Sequence, residues 1–462
     1  MLECLTKHLT HRSGVSGASS YEAAKVGVSA SKIALALASA LFLLSGCGGG
    51  GGGSDGSGGS GGASGKSYNV AAVSAGEGFS LALASDGTVW VTGKNDVGQI
   101  GFGGTAADPT NDLKAFTKLQ FFDNKDIVAI AAGRHHSLVL SSDGRVYASG
   151  ENGNGQLGLG NTADAYTFTE VSSLAGKKIV AVSAGQAHSL AIDSDGALYV
   201  AGDNSYGRTG LLTTSGNAQA FTKISTLDGK KIVAISAGQA HSLAVDNNGK
   251  VYGTGHEIDG RVGLGGPTRY INSCQCATTF TEVEFPEGVK IAKVAGGYDY
   301  SYAIADNGDL YITGDRSDGV FGDGNTLTGI GFVSRFTKLE GVVALAGKKI
   351  VAAAPSEKHA LILTDDDKVY VTGDRGNGRT GEGTLLNSLV GQLYTFTELT
   401  YLTDKNVTAI ATGHAHSLVI SDENVIHATG ENENGQLGFA NNIILNLVYS
   451  YIGAFREVVK LF

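Results

Sequence analysis

The chain is 462 residues long, with Gly at 70 positions, Pro at 4 and Met at 1. That bias excludes a helical protein and points to short strands joined by many tight turns. Hydrophobic residues make up 42%, enough for a large core, while a formal net charge of −10 repels phosphate backbones and excludes nucleic acid as a partner class.

At the N-terminus, Lys25 and Lys32 precede an apolar run from Ile33 to Leu44. Spanning a bilayer takes about 20 residues, but a signal-peptide core takes roughly 7–15, and the run fits the second. It ends in Leu44-Ser45-Gly46-Cys47, which resembles the lipobox of bacterial lipoproteins. The resemblance implies cleavage before Cys47 and a lipid such as palmitate on that cysteine. Residues 1–47 are therefore expected to be a lipoprotein signal peptide, with translation starting near Val26 or Val28 as an alternative to Met1. The mature protein would sit at the cell envelope, on the outer membrane or cell surface, touching the membrane through the lipid alone. The plainer alternative is an ordinary signal peptide with an incidental cysteine. Residues 48–67 are rich in Gly and Ser and read as a flexible tether with a reach of roughly 25 Å. Gly65-Lys66-Ser67 lacks the glycine and the strand that a phosphate-binding loop needs upstream.

From residue 68 one pattern recurs. Anchored on a glycine after a β-branched run, the copies fall at Gly76, Gly133, Gly185, Gly238, Gly297, Ser356 and Gly413. Seventeen residues after each anchor stand Gly93, Gly150, Gly202, Gly255, Gly314, Gly373 and Gly430. Eight further on stand Gly101, Gly158, Gly210, Gly263, Gly322, Gly381 and Gly438. Each copy predicts four short strands. The second and third are joined by Asp86-Gly87 or its equivalents, read as two-residue hairpin turns with positive φ. Asp366-Asp367 and Glu423-Asn424 replace that pair in the last two copies. The fourth strand carries Phe116, Phe168, Phe221, Phe280, Phe336, Phe396 or Phe455. Seven repeats of four antiparallel strands predict an all-β, seven-bladed β-propeller over residues 68–462. The strand at Phe455 is expected to meet the first copy and close the ring.

This pattern of anchor Gly, His-Ser-Leu, Asp-Gly, Tyr, Gly and Gly-Gln-Leu-Gly resembles the regulator of chromosome condensation repeat. The resemblance implies a seven-bladed propeller that binds other proteins. Its eukaryotic namesake is a guanine-nucleotide exchange factor, and bacterial relatives include a secreted β-lactamase inhibitor. One departure stands out. Where the family often has Trp before the second glycine, this chain has Thr92, Ser149, Ala201, Thr254, Thr313, Thr372 and Thr429, so the blades must pack differently there.

His136, His188, His241, His359 and His416 share one repeat position, with Phe79 and Tyr300 in the other copies. Aromatic substitutes cannot ligate zinc, and equivalent side chains on different blades do not converge, so these histidines read as structural. Trp90, Tyr147, Tyr199, Tyr252, Tyr311, Tyr370 and His427 share another position and read as filling between blades. Gly153-x-Gly155-x-x-Gly158 has no helix after it, and Asp193-Ser194-Asp195-Gly196 lacks the further ligands of a calcium loop. Cys274 and Cys276 are too few for a zinc site, leaving a local disulfide or free thiols. No catalytic residue, metal ligand or cofactor motif is found.

What varies is one loop. Between the third glycine and the Phe strand lie 14, 9, 10, 16, 13, 14 and 16 residues. Variable loops on a rigid scaffold are where binding function resides, and aromatics and Arg dominate hot spots. Phe102, Tyr166, Arg269, Tyr270, Phe332, Arg335 and Tyr394 are therefore the candidate contacts for an unidentified protein partner. The expected function is a non-enzymatic, lipid-anchored, protein-binding scaffold. The alternatives are a guanine-nucleotide exchange factor for a small GTPase, or a surface adhesin or inhibitor.

Overall fold

The computed structural model describes residues 69–104, 112–265, 275–325, 331–383, 391–439 and 451–458. They form seven four-stranded antiparallel sheets, each built from four consecutive strands. In blade 1 these are β1 (Val70–Ala75), β2 (Phe79–Ala84), β3 (Val89–Gly93) and β4 (Leu113–Lys118). The same order recurs in blades 2 to 7 over residues 127–170, 179–223, 232–283, 291–338, 350–398 and 407–457. The first strand of every blade packs against the first strands of both neighbours, blade 7 against blade 1 included, so the chain is a closed seven-bladed propeller.

Burial follows from this arrangement. The second and third strands are covered by a blade on each side, and every residue of β2 and β3 is buried. The first strands face the axial channel and use small residues, as in Val70-Ala71-Ala72-Val73-Ser74-Ala75, most of them half-buried. Apolar clusters lie between blades. Leu81, Val91 and Ile100 of blade 1 pack with Val139, Tyr147 and Phe168 of blade 2.

Two glycine positions are set by close approach. A Cβ on Gly101 would lie 2.3 Å from the Phe168 ring, and one on Gly438 would lie 2.4 Å from Phe116. Each loop glycine thus seats the phenylalanine of the next blade, which is why the two recur together. At the axis, a Cβ on Gly133 would stand 2.5 Å from the carbonyl oxygen of Gly185. The inner strand ends approach so closely that the amide after each anchor donates to the next blade. The bonds are Arg134 N–H to Gly185 O (3.1 Å), Gln186 to Gly238 (3.3 Å), Gln239 to Gly297 (3.1 Å), Tyr298 to Ser356 (3.2 Å) and His414 to Gly76 (3.3 Å). Between blades 1 and 2 the bond shifts by one residue, from Glu77 N–H to Arg134 O (3.0 Å).

The hairpin turns differ from the expected two-residue type. In Asp86-Gly87 only the glycine has positive φ, at 83°, and the Gly87 amide donates to Ala84 O (3.0 Å). This is a three-residue loop, a type I turn followed by a left-handed residue. Asp86 itself accepts the Thr88 amide (3.0 Å), which explains the acid in the pair. Asp367 and Asn424 take the same left-handed place, with φ of 63° and 61°, a conformation that Asp and Asn tolerate better than other side chains.

The two chain ends meet, but not in a shared sheet. The strand Tyr451–Glu457 pairs with Ile426–Glu431 of its own blade. Closure joins the seam hydrogen bonds to packing of Leu418, Ile420 and Leu437 of blade 7 against Val70, Ala82 and Trp90 of blade 1. At the position where Trp was absent, Thr92 Oγ1 reaches both Leu113 O (2.9 Å) and Gly435 O of blade 7 (2.8 Å). Thr254 and Thr429 bridge in the same way, so a small hydroxyl ties adjacent blades.

The ring of axial bonds lacks one link among the described residues, from Glu357 N–H to Gly413 O. It falls where the anchor is Ser356. Ser356 is the one anchor that carries a Cβ, and its hydroxyl sits 2.8 Å from Nδ1 of His359. Ser356→Gly is expected to close the gap and slow hydrogen exchange of the Glu357 amide to the rate of Tyr298. Exchange unchanged by the substitution would place the cause elsewhere.

Candidate protein-binding face

The repeated histidines lie in the seams between blades and not at any surface. His136, His188, His241 and His359 are fully buried, and His416 is 1% exposed. Each places Nε2 beside a serine of the next blade: His136 with Ser189 (2.9 Å), His188 with Ser242 (2.9 Å), His241 with Ser301 (2.7 Å), His359 with Ser417 (2.8 Å) and His416 with Ser80 (2.9 Å). Every one of these serines donates its own proton to a carbonyl, as Ser189 does to Gln156 O (2.7 Å). The imidazole must therefore be the donor, which assigns the proton to Nε2 and leaves Nδ1 bare. Where the histidine is replaced by Tyr300, its hydroxyl donates to His359 O (3.0 Å) and Ala360 stands in for the serine.

Burial pushes the imidazoles down, His136 to about 4 and His416 to about 3 from 6.5, and His188, His241 and His359 well below it. A group whose folded pKa is depressed in this way is neutral in the fold but protonates near 6.5 once unfolded. Its stability contribution is complete above pH 6.5 and is lost as the pH falls toward 4. The melting temperature should therefore drop between pH 7 and pH 4. His188→Gln keeps an N–H donor but takes no proton, so its melting temperature should fall less over that interval. Parallel curves for the two proteins would refute the assignment.

At one end of the propeller two kinds of segment open together. The Lys94 amide donates to Gly78 O (2.8 Å) and the Glu151 amide to His135 O (2.9 Å), so the turn after the first strand adjoins the loop after the third. Both the axial mouth and the loops of variable length therefore belong to one face. The residue after each anchor rims the mouth: Glu77, Arg134, Gln186, Gln239, Tyr298, Glu357 and His414 surround a cavity of about 260 Å³. Glu77 pairs with Arg134, and His414 with Glu357. His135 lies between Glu77 (3.5 Å) and Glu151 (3.3 Å). Burial alone would lower its pKa, but the hydrogen bonds to Glu151 and Glu77 outweigh it and hold it up at about 9. In return, the bond to His135 and the Arg134 guanidinium hold Glu77 down at about 2.

Buried arginines brace this rim from behind. Arg261 donates to Gln239 Oε1 (2.9 Å) and Tyr298 O (3.2 Å) and pairs with Asp259 (2.6 Å) and Asp299 (2.5 Å). Arg208 donates to Gln239 O (3.1 Å) and pairs with Asp203 (3.2 Å). The mouth is thus a polar ring held on one side by the Glu77–Arg134–His135 cluster and on the other by Arg208 and Arg261 behind Gln239.

The loop aromatics are spread along the outer rim. Phe102 bridges to Thr167 of blade 2 with its ring exposed, beside half-buried Tyr166, whose carbonyl accepts the Gly103 amide (2.9 Å). Phe332 and Arg335 share the fourth strand of blade 5, where Phe332 is exposed and Arg335 pairs with Glu284. Tyr394, on blade 6, is half-buried with its hydroxyl on Gln392 Oε1 (2.9 Å). These form two groups and not one patch. Arg269, Tyr270 and Cys47 lie outside the described residues. Cys276 is disulfide-bonded, which removes the reading of two free thiols. The axial rim escaped the sequence reading, although its signal was there: one position beside an almost constant glycine holds five residue types in seven copies.

The sequence profile of the RCC1-like domain matches residues 58–341. The chain belongs to that family. It is 29% identical to the ultraviolet-B receptor UVR8 of Arabidopsis thaliana over 378 residues, covering 82% of this chain and 80% of the receptor. It is 31% identical to the E3 ubiquitin-protein ligase HERC2 of Homo sapiens over 348 residues, 75% of this chain but 7% of that protein. Among solved structures, yeast RCC1 (Prp20) bound to Kap60 superposes with a TM-score of 0.65 at 20% identity, covering 80% of this chain and 83% of that one, a likeness of fold.

Proposed function

We propose that this RCC1-like propeller is a protein-binding scaffold without chemistry of its own, held at a bacterial cell envelope by a lipid on Cys47. The observation that carries the binding reading is the asymmetry of variation. Spacing and residue type repeat inside the blades, while the axial rim and the loops after the third strands differ from copy to copy and open on one face. A rigid ring presenting one variable face is the arrangement of a recognition surface. Yeast RCC1, which shares the fold, has been seen bound to Kap60, a protein partner.

The envelope reading rests on Leu44-Ser45-Gly46-Cys47 at the end of the apolar run. A disulfide at Cys276 agrees with it, because disulfides persist in oxidising compartments. Metabolic labelling with a fatty-acid analogue should mark the wild type and spare Cys47→Ala. Equal labelling of both would end the lipid reading.

For the scaffold, crosslinking on intact cells followed by affinity measurement with the recovered partner is the direct test. Arg134→Ala at the mouth, or Phe332→Ala on the rim, should weaken binding by about 2 kcal/mol if it removes a hot spot, with the melting temperature held. Acceleration of nucleotide release from a small GTPase would instead favour an exchange factor.

A further inference from the structure

The loop after the third strand of blade 3 breaks the repeat in two places at once. At the position of Tyr206 the other copies hold Val97, Asn154, Asp259, Asp318, Asn377 and Asn434. The backbone is left-handed in three of the seven copies, with φ of 61° at Tyr206, 60° at Asp318 and 56° at Asn377, whereas Val97, Asn154, Asp259 and Asn434 have no positive φ. Asp and Asn accept that conformation, whereas a bulky aromatic is strained in it. Six residues on, Leu212 occupies a second left-handed position, φ 70°, where Gly103, Gly160, Gly265 and Gly324 stand in other blades with φ of 80° to 93°. Its amide makes the same bond to the next blade as theirs, to Thr278 O (2.9 Å). At the second place the fold uses glycine in four other blades and here receives leucine, while at the first a tyrosine takes the left-handed conformation that Asp318 and Asn377 take in blades 5 and 6.

Those side chains give little to the core. Leu212 is 66% exposed and Tyr206 43%, its ring tilted against His256 of blade 4 at 4.4 Å. Two residues beyond His256, Ile258 is 47% exposed. Three of the eight large apolar side chains exposed among the described residues thus belong to the loops after the third strands of the adjacent blades 3 and 4. The accessible charge beside them is acidic. Asp259 follows Ile258 directly, and Asp259 and Asp299 face the single buried guanidinium of Arg261, two carboxylates against one cation.

Resting on the scaffold reading, we infer that Tyr206, Leu212 and Ile258 form the docking surface of this face, and that it takes a protein segment presenting an apolar side chain next to a lysine or arginine. Backbone strain retained under exposed apolar groups, with no burial to offset it, marks a surface completed by another molecule. The second carboxylate at Arg261 selects the sign of its neighbour.

Substituting the residues that the other copies use separates this role from a structural one. Leu212→Gly and Tyr206→Asn relieve the backbone, so both variants should melt at or above the wild-type temperature. Three labelled peptides of equal length serve as probes in fluorescence anisotropy: one alternating Leu with Lys, one Leu with Glu, one Ser with Lys. The Leu–Lys peptide should bind the wild type and lose at least tenfold in affinity in each variant, and the other two should bind weakly. Failure of the Leu–Lys peptide to bind, equal binding of the Leu–Glu peptide, undiminished affinity in both variants, or a lowered melting temperature would each overturn the assignment. A crosslinked partner lost from Arg134→Ala but retained by Leu212→Gly would remove this patch and keep the scaffold.

Discussion

Closing seven sheets around one axis forces the inner strand ends to within hydrogen-bond distance of each other, and most of what repeats in this chain answers that constraint. A side chain at the anchor would displace the neighbouring carbonyl, so the anchor is glycine in six copies. The amide that follows it then has a partner across the seam, and the channel wall becomes a nearly continuous circle of backbone bonds. Ser356 shows the rule by its exception, since the missing link lies beside it. Its hydroxyl also sits 2.8 Å from Nδ1 of His359, the atom left bare in four of the other histidines.

Outward from the axis, the seams are tied by different devices at different radii. Next to the anchors stand the His–Ser pairs, one proton donor passing from blade to blade. Beyond them small hydroxyls such as Thr92 reach carbonyls on both sides of a seam, and at the outer edge each phenylalanine fills the space that a loop glycine leaves open. These contacts are all between blades, so stability is shared around the ring and no blade is a separate core. That dependence also makes the belt acid-sensitive, because at His136, His188, His241 and His416 an imidazole protonated at Nδ1 has no acceptor in the seam.

Function is confined by the same geometry. Positions that tie blades together vary little, which leaves most of the variation to the axial rim and the loops after the third strands. The rim is a polar ring, with Glu77, Arg134 and His135 locked together and the side of Gln239 held by two buried arginines. The loops add apolar groups at the periphery, concentrated on the adjacent blades 3 and 4. A partner spanning both would read charge at the centre and hydrophobic contact at the edge.

The number of blades and the four strands in each were legible in the sequence, because glycine spacing and turn residues are local demands of backbone conformation and most copies repeat them. That the histidines share one repeat position was legible too, but their place in the seam, with Nε2 on a serine of the next blade, came only from the structure. The turn type was not legible, because Asp86-Gly87 permits either a two- or a three-residue loop and only the pairing of β2 with β3 selects one. Nor was the manner of closure: Phe455 reads as an unpaired strand until its own blade is seen to be complete. The loop aromatics were chosen for residue type alone, and the structure divides Phe102 and Tyr166 from Phe332, Arg335 and Tyr394, while Tyr206 and Leu212 stand out only once their left-handed φ and their exposure are known. Sequence by itself determined the repeat and the fold, through local conformational preference. Which residues share a face, which are strained and which charges are compensated was decided only by the tertiary structure, because these depend on distances between blades that no single repeat contains.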